Sequence, residues 1–297
     1  MSEIQPRQNR SILAQLFLSP EEPRLRAGWR LVIQTLLMFV IGIIGVLVAS
    51  LFGPLAGGSL FFEQILNFVI ITGSVYIARR WLDRRSFESL GLKLDRHTLL
   101  DILAGIAITF VQMGFIYVLM LGLGWLTFEG FAWDFDPIGV VITSVLTFFV
   151  VFLFVGWNEE LLSRGYHLQT LASGLNLFWG VVISSAIFGL LHLGNPNATW
   201  VSAAGIFFAG IYLAYGYIRT RQLWLSIGLH IGWNFFEGVV FGFPVSGLDI
   251  YALTRIKVDG PELWTGGAFG PEAGLIVLPS LLLGAFLIYL YTLRRSN

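Results

Sequence analysis

The chain contains no cysteine, and only 12% of its 297 residues are charged. The first absence excludes disulfides, thiolate zinc ligands, a cysteine nucleophile and S-acylation together. The second excludes an ordinary soluble domain, where roughly 25% of residues are charged. What fills the space is apolar: 56% of residues are hydrophobic and the mean hydropathy is +0.77. Apolar runs reach the ~20 residues that a helix needs to cross a bilayer, whereas barrel strands would be shorter and would alternate apolar with polar. The reading is an all-α, polytopic transmembrane bundle.

Eight spans are predicted near 29–52, 61–78, 99–124, 138–172, 177–193, 200–218, 223–243 and 273–293. The first is too long for a signal-peptide core and lacks an A-x-A site, so it is expected to stay as an anchor. Residues 1–28 read as a cytoplasmic segment and 29–297 as one membrane-embedded domain. Basic residues mark sides. Arg7, Arg10, Arg24, Arg26 and Arg30 precede the first run, and Arg79, Arg80, Arg84, Arg85, Lys93 and Arg96 fill the second connection, which puts both termini in the cytoplasm. The connection 244–272 fits poorly, because it is assigned outside yet holds Arg255 and Lys257. Its "WTGGAFGPEAG" stretch reads as turn chemistry, since a phosphate loop would need a strand before it and a Lys followed by Ser or Thr. A plasma membrane of a prokaryote is the expected location, with the bilayer as a partner and no nucleic acid.

Ions in apolar runs are costly and therefore informative, because they face a protein interior or a wet cavity. "GWNEELLSRGYH" (156–167) ends such a run. On a helix Glu160 and Arg164 are one turn apart and can pair, while Glu159 points about 100° away and stays available. "FGLLH" puts Phe188 and His192 on one face, and "HIGWN" does the same for His230 and Asn234. Singly, each has a bland reading as a structural ion pair, a histidine bonded to a carbonyl, or interhelical glue. Together they are an expensive set to keep for packing alone. Gly228 and Gly232 flank His230 in a small-xxx-small pattern that permits close helix approach. Lesser candidates are Glu237, as a cap or outer-interface residue or a wall of the cavity; Ser163, which lacks an identifiable base; Tyr166 and His167, expected at the cytoplasmic rim; and Asp101, expected to cap the third span.

In order and within spans, EExxxR (Glu159, Glu160, Arg164), FxxxH (Phe188, His192) and HxxxN (His230, Asn234) resemble the CPBP family of intramembrane proteases. That family includes the Rce1-related CAAX prenyl endopeptidases and the bacterial Abi proteins linked to bacteriocin immunity. The resemblance covers a motif core of about 138–243. It implies a metal-free, cofactor-free endopeptidase acting on a membrane-associated peptide or protein, in which Glu159 and His192 activate water, His230 and Asn234 stabilise the oxyanion, and Glu160 and Arg164 support the site. Three alternatives stand beside it. Glu159, His192 and His230 could instead ligate zinc, although the H-E-x-x-H helix is absent. The protein could be a non-catalytic scaffold or immunity factor. A transporter is disfavoured, because no symmetric pair of broken helices is visible.

Overall fold

A computed structural model describes residues 11–20, 22, 24–51 and 60–295. Arg7 and Arg10 lie outside the described residues. Nine helices are labelled here: α1 (Ile12–Phe17), α2 (Ala27–Ser50), α3 (Leu60–Leu82), α4 (Thr98–Gly122), α5 (Ile138–Gly174), α6 (Leu177–Leu191), α7 (Trp200–Thr220), α8 (224–240) and α9 (Val277–Arg295). Among the described residues α2 to α7 are long and apolar enough to cross a membrane, and α9 is a shorter apolar helix. Each of the eight predicted runs is therefore helical. The last begins at Val277 rather than 273, because Pro271–Ala273 is a separate 3-10 turn.

Local sequence sets the helix ends. Asn176 caps α6 by accepting from the Trp179 amide, and Thr199 and Ser202 form a reciprocal cap on α7. Two helices widen into π geometry at their motifs, α5 over Leu161–His167, which contains Arg164, and α8 over Phe235–Val240, directly after Asn234. Such segments recur at functional sites, since each changes which side chains share a face.

The tightest helix pair is α4 with α8. A Cβ built on Gly232 would stand 2.8 Å from the Ile106 Cα, and one on Gly228 would stand 2.7 Å from the Ile102 Cα. The small-xxx-small pattern around His230 thus serves backbone approach. Asp101, expected to cap α4, is instead buried in its first turn and accepts from the Tyr291 hydroxyl of α9 at 2.7 Å.

One feature departs from the all-helical expectation. β1 (Leu126–Phe131) and β2 (Thr254–Val258) pair antiparallel, with a bulge between Phe128 and Gly130. This joins the acidic third connection to the long connection after α8, and it accounts for the two misfit cations there. Arg255 pairs with Asp136 at 2.9 Å and Lys257 with Asp259 at 3.0 Å, so both are neutralised locally.

At the other end, part of the basic connection packs into the bundle, while Arg80, Arg84, Arg85, Lys93 and Arg96 stay exposed. Asp83 is buried between Arg30 and Arg79, and Arg30 also donates to Ser173 Oγ at 2.7 Å. Leu90 and Leu92 join a core with Leu161, Leu162 and Tyr166. Tyr166 is buried in that core and His167 is buried as well, contrary to the rim position expected of them. Polarity suggested a rim, but Leu90 and Leu92 of the connection cover Tyr166.

Candidate active site

Each motif is held by a different helix. Glu159 and Glu160 lie deep within the 37-residue α5, His192 is the C-cap residue of α6, and His230 and Asn234 sit one turn apart on α8. The sequence predicted one helical turn between Glu160 and Arg164. Arg164 Nη1 donates to Glu160 Oε1 at 2.8 Å, with side-chain exposures of 2% and 0%. Arg164 also donates to the Gly210 carbonyl at 3.2 Å and lies over the Phe188 ring, 4.3 Å from its centroid. The FxxxH phenylalanine therefore packs on the EExxxR arginine.

Glu159 turns the other way, into a cavity of about 420 Å³ that His192, His230 and Asn234 also line. Its Oε2 stands 3.8 Å from His192 Nε2 and 3.7 Å from His230 Nε2, too far for direct hydrogen bonds, and has no protein partner. The far side of each imidazole is fixed. His192 Nδ1 lies 2.8 Å from the Phe188 carbonyl, which can only accept, so Nδ1 carries the proton and Nε2 of the neutral ring is a free base. His230 Nδ1 lies 2.8 Å from Glu160 Oε1, the oxygen that Arg164 also holds. A carboxylate paired with arginine accepts, so His230 too is protonated at Nδ1.

All six predicted residues are thus within one constellation: Glu159, His192, His230 and Asn234 on the cavity wall, Glu160 and Arg164 buried behind it. Ser163 also lines the cavity. Glu237 does not. It is fully buried with neither carboxylate oxygen hydrogen-bonded, so it is neither a cap nor at an outer interface. Among the described residues no three His, Asp or Glu side chains are gathered in metal-ligand geometry.

Sequence reasoning missed several lining residues. Glu272 accepts from Trp233 Nε1 at 3.0 Å and from Ser246 Oγ at 2.5 Å, which brings the connection after α8 back over the cavity. Glu63 and Gln64 reach it from α3. Only the glycines hinted at that return: Gly266, Gly267 and Gly270 all have positive φ, which folds the segment tightly beneath Glu272.

These features define a class: a polytopic helical membrane protein with an open carboxylate and two oriented imidazoles inside its bundle. Residues 141–236 match the family model described as Type II CAAX prenyl endopeptidase Rce1-like, a segment that contains all three motifs. Over 106 residues the chain is 31% identical to the Bacillus subtilis (strain 168) protein named "Putative membrane peptidase YdiL", a match covering 35% of this chain and 41% of that one. The chain thus matches less than half the length of that curated relative. The family-model match falls on the segment that carries the motifs from which the resemblance was read.

Proposed function

We propose that this protein is an intramembrane endopeptidase that hydrolyses peptide bonds of membrane-associated substrates with water activated by Glu159. The observation that carries the reading is the free Oε2 of Glu159, facing a cavity between two imidazole Nε2 atoms at 3.7 and 3.8 Å. Gaps of that size suit a bridging water. Glu159 then accepts its proton, and His192, with a basic Nε2, shares that proton and passes it to the leaving amine. Asn234 supplies an amide N–H to the oxyanion. His230 adds a second donor from the doubly protonated ring only, because its neutral form already spends its proton on Glu160. Glu160 and Arg164 hold that ring in place.

The orientation of the imidazoles also bears on the zinc alternative. Histidines that donate Nδ1–H to oxygen and turn Nε2 inward resemble metal-ligating histidines, but Glu159, His192 and His230 are not gathered in metal-ligand geometry, so zinc-dependent hydrolysis stands only as the alternative that chelation tests.

The test compares peptide termini in membranes carrying the parent with those carrying Glu159→Gln. New termini that vanish in the variant support the peptidase and name its substrate. Identical termini overturn it. The coarser family resemblance also suggests a CAAX-type substrate, and addition of a prenylated peptide to the same membranes tests that specificity directly.

A further inference from the structure

Glu159 is reached from a second direction. A groove of about 760 Å³ runs between α2 and α3 to α5, and it shares Gln64, Glu159, Leu162 and Leu191 with the cavity described above. Its α2 wall is apolar, with Gly42, Ile43 and Val46. Its opposite wall carries amides, Gln64 and Asn67 from α3 and Asn158 from α5. Asn158 is 1% exposed, and its Nδ2 faces Gln64 while its Oδ1 has no partner. A buried amide acceptor left unpaired is costly where water is scarce.

We propose that this groove holds an apolar peptide segment of the substrate in extended form, with Asn158 Oδ1 accepting a backbone N–H beside the scissile bond. This rests on the peptidase reading. The chemistry of the wall selects the occupant. An extended segment in a low-water groove has backbone N–H and C=O groups with no partner of their own, which Asn158, Gln64 and Asn67 can satisfy. Its apolar side chains suit the α2 wall. A lipid chain would use that wall but leave the amides unpaired, and a helical segment would satisfy its own backbone. Continuity with the cavity delivers the extended segment to Glu159. In this scheme Asn158 is a positioning residue that sets affinity and register.

The absence of cysteine makes the test clean. Gly42→Cys is tolerated, because a Cβ there meets only Ile70 Cδ1 at 3.8 Å. The probes are synthetic Leu/Ala peptides of about 20 residues with a central Gly-Pro-Gly break, each bearing one cysteine, reconstituted in vesicles with the Gly42→Cys, Glu159→Gln protein. Disulfide yield should alternate along the peptide with a period of two, as an extended chain requires. A control cysteine at Leu100, on the exposed face of α4, should give none. Adding Asn158→Leu should raise the half-saturating peptide concentration about tenfold, the worth of one buried hydrogen bond. Helical periodicity, yield equal to the Leu100 control, or indifference to Asn158→Leu overturns the proposal. So does full displacement of the peptide by a long-chain alkyl competitor with no dependence on Asn158, which assigns the groove to lipid. Because cross-linking reads binding without turnover, failure of the peptidase reading appears separately, as Glu159-independent termini.

Discussion

Replacing Arg164 with alanine removes the counter-ion of a carboxylate that water cannot reach. Glu160 has 0% side-chain exposure, and its Oε1 is held at 2.8 Å both by Arg164 and by His230. Breaking a buried ion pair from one side typically costs ~3 to 5 kcal/mol. The bond to the Gly210 carbonyl and the face of Phe188 are lost as well, each worth about 1 kcal/mol and not additive with the pair. Retention of His230 as a partner pulls the other way, so a loss near ~3 kcal/mol is expected, more than a hundredfold in the folding equilibrium. Arg164→Ala should accumulate poorly and melt well below the parent in the same detergent. Glu160→Gln with Arg164→Met should recover most of that loss, because no charge is stranded and Gln can still accept from His230. An Arg164→Ala protein that accumulates and melts like the parent would refute the buried pair.

Asn234→Ala should fold and bind substrate nearly as the parent does, but lose about 10² to 10³ in kcat, the usual worth of one oxyanion donor; a stable variant with parental single-turnover rate removes Asn234 from the mechanism. Exhaustive chelation should leave activity intact, and loss restored by zinc would promote the metal reading. Lys93→Cys and Lys257→Cys, at opposite ends of the bundle, should label from opposite faces of sealed vesicles; labelling from one face would refute the topology expected from the basic connections. Arg255→Ala should cost under about 1 kcal/mol in thermal stability, since both partners of its pair are about a third exposed; a larger loss would mean that the pair holds the sheet in place.

The site was legible where ions interrupt apolar runs. Glu159, Glu160, Arg164, His192, His230 and Asn234 each carry a cost in hydrocarbon that sequence alone reveals, and helical spacing then pairs Glu160 with Arg164. Glu272 gave no such signal, because a glutamate in a glycine-rich connection is unremarkable until Trp233 and Ser246 close on it. The sheet was hidden for a similar reason: six- and five-residue strands flanked by turns are short beside 20-residue helices, and their pairing spans more than a hundred residues. Tyr166 was misplaced because local polarity says nothing about a distant segment folding over it.

The sheet between β1 and β2 has a mechanical side. It fastens the connection leading into α5, which bears Glu159, to the one following α8, which bears His230 and Asn234. Those two walls are therefore laced at one end and cannot spread apart there without tearing backbone hydrogen bonds. By contrast, the most apolar stretches of α2 and α3 have only 6% and 11% of their residues buried, the least of the six long helices. The sheet does not reach the α2–α3 pair, which is tied to the rest of the bundle at the other end, by Arg30 on Asp83 and Ser173.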